Sequence, residues 1–416
     1  MGAYQIIGGR PLEGAVEIHG AKNSVLPILA ATLVSGGQYT IDNCPEISDV
    51  DTAMDILRAL GCAAQRDGTR ILVDTDSAES REIPKELMKK MRAAIIFLGA
   101  LLARFGEARV FAPGGCVLGE RPINLHILGL RRMGAECEYT HESLCCKVKT
   151  LRGCTVALPF PSVGATENLI LASLACDGEV TLCNAAKEPE VADLIGFLRA
   201  CGARIDGAGS SVLHIEGKAP LHGAAYAVMP DRMEAATYLA AAAATRGRLV
   251  LQNAKPDHLR AVLSVLAQGG CALARRPEEI VVRCDRLRAV SPIVTAPYDG
   301  FPTDAQAPMM AAMATAEGVS IFEETIFSDR LRHADALRAM GARIFATERH
   351  AVVTGVKRLY GAAVEATDLR GGAAMVIAAL RAEGESLITN TEHMERGYAS
   401  FVQTLRACGA QIKSIE

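Results

Sequence analysis

Cys116 stands in the run Pro113-Gly114-Gly115-Cys116-Val117-Leu118-Gly119-Glu120-Arg121-Pro122, where glycines crowd one thiol and an arginine follows five residues on. A thiolate beside a cation has a lowered pKa and becomes reactive, whereas a thiol kept protonated can give a proton away. Glycines leave the backbone around it free to turn. Taken alone, the stretch admits four readings. A phosphatase phosphate loop carries one residue more between Cys and Arg than this chain does. A Cys-His protease needs an imidazole, and His126, on the helix expected after Pro122, reads as a structural histidine. A third reading is a thiol acting as general acid or covalent partner toward a phosphorylated small molecule. The fourth is a plain surface turn.

A second set of chemistry-bearing residues recurs along the chain. Lys22-Asn23, Arg92, residues 162–168, Asp231-Arg232, Thr303-Asp304, and Asp368 with Arg370 lie just ahead of six runs that are almost wholly small or apolar. Those runs, residues 25–34, 93–103, 169–175, 235–244, 308–316 and 373–380, are expected to be helices. A helix apolar on every side is a buried helix. Helix N-termini carry free N–H groups and partial positive charge, which suits anions. Ser, Thr, Asp and Asn at such places are ordinary caps. Capping does not account for Lys22, Arg92, Arg232 or Arg370, because a cation there is unfavourable unless an anion intervenes. The set is therefore expected to line an anion-binding cleft.

The elements that position these groups repeat six times. A helix end and a glycine recur at Gly61, Gly134, Gly202, Gly270, Gly341 and Gly409, spaced by 73, 68, 68, 71 and 68 residues. Glycine just past a helix takes the left-handed cap. A second phrase, glycine then a short strand, runs in step from Gly37, Gly106, Gly178, Gly247, Gly318 and Gly384. Self-similarity at a fixed period marks repeated supersecondary units, here of about 70 residues, each with two helices and several strands. Three units fall in residues 21–229 and three in 230–416. Residues 1–20 are expected to complete the second domain, with hinges near Gly20 and Pro230.

Composition excludes other classes. The 416 residues are half hydrophobic, with a formal net charge of −3 and no Trp. Neither a nucleic-acid binder nor a base-stacking platform is expected. The most apolar stretch, residues 93–103, is shorter than the roughly 20 residues of a membrane span. The opening residues carry no basic start followed by an apolar block, so no secretory signal is expected. Thirteen cysteines, with no Cys-x-x-Cys pair, argue against a disulfide framework or zinc site and for the cytoplasm.

Gly20-Ala21-Lys22-Asn23-Ser24-Val25-Leu26-Pro27, the Cys116 loop through Pro122, Ser162-Val163-Gly164-Ala165-Thr166, Pro230-Asp231-Arg232, Phe301-Pro302-Thr303-Asp304-Ala305-Gln306, Thr367-Asp368-Leu369-Arg370 and Arg396-Gly397-Tyr398 together carry a resemblance. In order and over the whole chain, the sequence resembles the UDP-N-acetylglucosamine 1-carboxyvinyltransferase family. The related shikimate-pathway synthase shares the architecture but not the Pro-Gly-Gly-Cys loop. The resemblance implies a two-domain inside-out α/β barrel, with three repeats per domain. It implies transfer of the enolpyruvyl group of phosphoenolpyruvate to the 3′-hydroxyl of UDP-N-acetylglucosamine with release of phosphate, the first committed step of peptidoglycan synthesis. It implies no metal and no organic cofactor, and leaves the oligomeric state open.

By the same resemblance Cys116 is the proton donor, able to form a covalent adduct, and Asp304 is the base facing the sugar hydroxyl. Lys22, Arg121 and Arg396 match phosphate-side cations, and Arg330 and Arg396 match a carboxylate clamp. Asn23 and Arg370 join that phosphoenolpyruvate set. Arg92 and Arg232 resemble further cleft arginines, and Glu188, Glu190 and Asp368 match acidic residues around the site. Asn23, Arg92, Arg121, Pro122, Ile123, Asn124, Leu125, Phe160, Pro161, Ser162, Val163, Asp304 and Ile326 match positions that bind the nucleotide sugar. Asn124 departs from the family, which usually has Asp there. An amide keeps hydrogen bonding and loses the charge. It is also the one foothold for an alternative, a non-catalytic nucleotide-sugar binder.

Overall fold

The computed structural model describes residues 2–111, 123–140 and 142–415. These form two compact units, one of residues 20–229 and one of residues 2–19 with 230–415. Each is built from three buried helices and three small mixed sheets.

The buried helices follow from the apolar runs, and five of the six start earlier than those runs. They span Lys22–Ala31, Phe97–Phe105 after a tight 3-10 turn Arg92–Ile96, Val163–Ser173, Arg232–Thr245, Thr303–Met313 and Leu369–Arg381. Of the polar residues expected to precede the helices, Lys22, Asn23, Arg232, Thr303, Asp304 and Arg370 thus lie within first turns, while Ser162, Asp231 and Asp368 keep the cap position. The first-turn N–H groups have no partner within the helix, so a polar side chain is tolerated there. All residues of Arg232–Thr245 are buried, and its alanines let the neighbouring helices Thr303–Met313 and Leu369–Arg381 pack against it. In the other unit, helix Phe97–Phe105 packs on Val163–Ser173 at Gly99, where an added Cβ would lie 2.2 Å from the Asn168 carbonyl.

One sheet plan recurs. The strand leaving a core helix pairs antiparallel with the second strand of a hairpin and, in three of the sheets, parallel with the short strand that led into that same helix. Glu179–Cys183, for example, pairs antiparallel with Val212–Glu216 and parallel with Thr155–Ala157. The alternating burial along such strands puts one face on the helices and one in solvent. The N-terminal strands complete the unit that ends the chain. Ala3–Ile7 lies between Glu385–Thr389 and Gln411–Ile415, and Glu13–Glu17 pairs with Arg248–Gln252.

The six helix-end glycines all have φ between +90° and +99°, the region an L side chain enters only under strain. The second glycine phrase has one exception. In the fourth unit Arg246 takes the left-handed position, at φ +57°, and Gly247 does not. Gly247 is required for space, since a Cβ there would lie 2.1 Å from the Leu12 carbonyl.

Candidate active site

Asp304 is the second residue of helix Thr303–Met313, and Pro302 holds the cap place. Its carboxylate is not a cap. Oδ1 accepts from Arg330 Nη2 at 2.6 Å, and Oδ2 accepts from Arg370 Nε at 3.2 Å. Both arginine side chains are 3% exposed, while Asp304 keeps 28%. Arg370 is the second residue of helix Leu369–Arg381, whose cap Asp368 accepts from the Arg370 and Gly371 backbone N–H groups at 3.0 and 3.1 Å. Burial works against the Arg370 charge, but Tyr398, Asp304 and Asp231 outweigh it and hold the guanidinium pKa above its ordinary value. The cation expected to await an external anion is thus met by the protein's own carboxylate.

The same holds in the other unit. Lys22 opens helix Lys22–Ala31, and its Nζ lies 2.6 Å from Asp49 Oδ2, with both side chains nearly enclosed. Ser24 Oγ donates to Asp193 Oδ2 at 2.7 Å, and Tyr226 donates to Asp193 Oδ1 at 2.7 Å, which fixes this helix start from a second side. Asn23 between them is exposed. Asp231 caps its helix through Met233 and Glu234 backbone N–H groups, and the Arg232 guanidinium stands 5.3 Å from the Tyr298 ring centre. Arg92 begins the 3-10 turn and is half-buried.

Ser162 caps helix Val163–Ser173 by accepting from Ala165 N at 3.4 Å. Phe160 before it is 41% exposed, and Pro161 and Val163 are half-buried. Asn124 opens helix Asn124–Arg132 and is exposed, with Ile123 and Leu125 half-buried beside it. It lines a shallow cleft of about 450 Å³ with Ile127, Leu128, Arg131, Arg132 and Tyr139. Ile326 donates its N–H to Glu324 Oε1 at 2.9 Å. Arg396 follows the short helix Glu392–Glu395 and is half-buried. Cys116, Arg121 and Pro122 lie outside the described residues.

His126 fits its structural reading. Asn168 Nδ2 donates to His126 Nδ1 at 2.8 Å and to the Ile95 carbonyl at 2.9 Å, while Asn168 Oδ1 accepts from Gly99 N at 2.6 Å. Burial lowers the imidazole to about 4 and keeps it neutral. Glu188 precedes helix Pro189–Ala200 and Glu190 sits in its first turn. Burial first, then the charges of Glu190 and Glu188, pushes the enclosed Glu167 carboxyl well above its usual range.

Several positioning groups had no sequence signal. Glu324, 1% exposed, accepts from Thr303 Oγ1 at 2.9 Å and from the Ile326 and Phe327 N–H groups, tying the Ile326 loop to the start of the Asp304 helix. Asp49 and Asp193 likewise sit on helices distant in sequence from the lysine and serine they hold. Among the described residues no His, Cys, Asp and Glu group could hold a metal ion, and no helix is long and apolar enough to cross a membrane.

Comparison with known proteins narrows the identity. The EPSP synthase (3-phosphoshikimate 1-carboxyvinyltransferase) family matches residues 6–405. UDP-N-acetylglucosamine 1-carboxyvinyltransferase 2 of Caldanaerobacter subterraneus subsp. tengcongensis is 47% identical over 416 residues, all of both chains. UDP-N-acetylglucosamine 1-carboxyvinyltransferases of Dichelobacter nodosus and Granulibacter bethesdensis are 45% and 44% identical, again over 100% of each chain. The enolpyruvyl transferase NikO of Streptomyces tendae superimposes with a TM-score of 0.90 at 27% identity, covering 99% of this chain and 98% of that one. EPSP synthase of Acinetobacter baumannii shares the fold, with a TM-score of 0.76 at 20% identity over 100% of both chains. With relatives matched from end to end and the sixfold plan of helices and sheets in common, the chain belongs to the EPSP synthase family and, within it, to the UDP-N-acetylglucosamine 1-carboxyvinyltransferases.

Proposed function

We propose that this chain transfers the enolpyruvyl group of phosphoenolpyruvate to the 3′-hydroxyl of UDP-N-acetylglucosamine, releasing phosphate, at the entry to peptidoglycan synthesis. The observation that carries this reading is the 47% identity, over the full length of both chains, to a protein of that name. The thirteen cysteines without a Cys-x-x-Cys pair support a cytoplasmic setting.

The reaction adds an alcohol to the enol carbon and then eliminates phosphate. Asp304 takes the hydroxyl proton as the sugar oxygen bonds to carbon 2 of phosphoenolpyruvate. Cys116 gives its thiol proton to carbon 3. The resulting adduct carries both the sugar ether and the phosphate on carbon 2. Loss of a proton from carbon 3 and departure of phosphate restore the double bond in the product. A donor that must hold its proton until attack needs a tuned thiol, not merely an acidified one.

Phosphoenolpyruvate is a small, dense anion, and holding it calls for preorganised cations. Lys22, Arg121 and Arg396 serve its phosphate; Arg330 and Arg396 clamp its carboxylate, with Arg370 and Asn23 beside them. Arg92, Ile123, Asn124, Leu125, Phe160, Pro161, Ser162, Val163 and Ile326 serve the nucleotide sugar, with Arg121 and Pro122.

The Asp304 ion pairs add a step to this scheme. A carboxylate gripped by two guanidiniums is a poor proton acceptor. The carboxylate of phosphoenolpyruvate has the shape and charge to replace Asp304 on Arg330. Binding of one substrate therefore releases the base that acts on the other from one of its two guanidiniums, while Arg370 keeps it in place.

A coupled phosphate assay tests the reading. Phosphate release must need both phosphoenolpyruvate and UDP-N-acetylglucosamine; release with either one alone, or no release with both, would overturn it.

A further inference from the structure

Tyr398 is 4% exposed, yet its hydroxyl is engaged on both sides. Arg370 Nη1 donates to it at 2.9 Å, and Thr237 Oγ1 lies 2.8 Å away. Thr237 Oγ1 also donates to the Met233 carbonyl one turn earlier in its helix, at 2.9 Å. The direction of every bond follows from the proton count. Thr237 has one hydroxyl proton, and Met233 takes it. Thr237 therefore accepts from Tyr398, and Tyr398 in turn offers only lone pairs to Arg370, whose guanidinium can only donate. The chain runs one way, from Arg370 through Tyr398 and Thr237 to Met233, with each hydroxyl satisfied.

The consequence lies at the other edge of the guanidinium. Arg370 Nε and Nη2 both lie 3.2 Å from Asp304 Oδ2. The Tyr398 ring stands 5.3 Å from the guanidinium carbon and stacks on Phe401 at 4.7 Å between ring centres. Among the described residues, the Tyr398 hydroxyl thus meets the edge of Arg370 that Asp304 leaves uncovered. It links the helix Arg232–Thr245 to the two helices that carry Asp304 and Arg370.

We propose that Tyr398 and Thr237 are positioning residues of the transfer reaction: they pin the Arg370 guanidinium so that its Nε edge stays in register with Asp304. The proposal rests on Asp304 being the base. Neither hydroxyl touches substrate; both act through Arg370. A guanidinium released on one edge swings, and misplacement of a catalytic group costs rate more than binding.

The test is a kinetic double-mutant cycle on the full chain, with melting temperatures measured alongside. Tyr398→Phe removes the acceptor and keeps the ring. Thr237→Val is close in volume, removes the acceptor of the Tyr398 hydroxyl and leaves Tyr398 in place. Thr237→Ser keeps the hydroxyl. The expected result is a kcat lowered roughly 10- to 100-fold in Tyr398→Phe and in Thr237→Val. The KM for UDP-N-acetylglucosamine stays within about twofold in both. The double variant falls little further than either single one, because both cut the same chain. Thr237→Ser keeps kcat within about threefold of the parent. The proposal is overturned if the losses multiply in the double variant. It is also overturned if kcat returns to the parent value well below each variant's melting temperature, since the hydroxyls would then serve stability alone. Should Tyr398→Phe fail to fold, the comparison of Thr237→Val with Thr237→Ser decides by itself. An unmodified chain that releases no phosphate would instead remove the functional reading beneath the proposal, an outcome visible before any variant is made.

Discussion

Arg330 Nη2 meets Asp304 Oδ1 at 2.6 Å, with the arginine side chain 3% exposed and the carboxylate 28% exposed. The cation is enclosed and the anion is reachable. Such a pair can be exchanged from the open side, with the guanidinium staying in place and one carboxylate replacing another. Arg330 Nε is itself buried with no partner among the described residues, so the clamp has a donor to spare for an incoming ligand.

Asp304→Asn therefore has two separate effects. It removes the proposed base, and turnover is expected to fall by about three orders of magnitude. It also removes the carboxylate that pairs with two buried guanidiniums, which costs about 3 kcal/mol of stability. Phosphoenolpyruvate supplies the missing charge, so its addition raises the melting temperature of Asp304→Asn more than that of the parent. Thermal unfolding with and without phosphoenolpyruvate checks this. An equal or smaller rise in the variant would show that Asp304 does not compete with the substrate for Arg330.

Lys22 is held the same way by Asp49, at 2.6 Å. Asp49→Asn leaves the ammonium less fixed at the position where we propose that it serves the substrate phosphate. The expected result is a fall of about tenfold in kcat/KM for phosphoenolpyruvate, with the KM for UDP-N-acetylglucosamine little changed. Steady-state kinetics with each substrate varied in turn decide the matter; an unaltered kcat/KM means that Asp49 does not orient Lys22.

How much of this was legible before any coordinates depended on whether the signal was local. The helix-end glycines are local, because a positive φ is a property of one residue, and all six took it. The buried helices were legible from their all-round apolar character, though their starts were not. Lys22, Arg232 and Arg370 look like flanking residues in sequence and prove to be first-turn residues. Asp304 reads as a cap from its position beside Pro302 and Thr303. Its partners Arg330 and Arg370 are 26 and 66 residues away, and no spacing rule joins them. Asp49, Glu324 and Thr237 were missed for the same reason: each acts through a contact that exists only once the sheets and helices have packed.

Acid sensitivity should be traceable to His126. Its folded-state pKa is lowered to about 4 by burial, below the ordinary imidazole value of 6.5. The unfolded chain thus binds the proton first as pH falls. The stability His126 contributes is present above pH 6.5 and is lost as pH drops toward 4, by up to roughly 3 kcal/mol. Protonation of Nδ1 would also set an N–H against the donating amide of Asn168, 2.8 Å away. Urea unfolding between pH 7 and pH 4 checks this: His126→Gln should be less stable at pH 7 and show a shallower decline toward pH 4. A variant with the parent's slope would assign the acid sensitivity elsewhere, with His333, lowered to about 4 by burial, as the next group to test.

The helix-end glycines give a prediction for stability alone. Gly409 has φ +91° with open space where a Cβ would go, whereas Gly341 has φ +90° with Tyr360 Cδ2 at 3.1 Å. Gly409→Ala isolates backbone strain and should cost about 1–2 kcal/mol. Gly341→Ala adds a ring contact and should cost at least as much. Denaturant midpoints for the two variants measure both; a negligible loss at Gly409 would mean that the cap tolerates a side chain.

The central claim is the identity of the acceptor. Phosphate release from phosphoenolpyruvate, measured side by side with UDP-N-acetylglucosamine and with shikimate 3-phosphate, tests it most directly. Turnover with the nucleotide sugar and none with shikimate 3-phosphate is the predicted result. Turnover with shikimate 3-phosphate and none with the nucleotide sugar would contradict it.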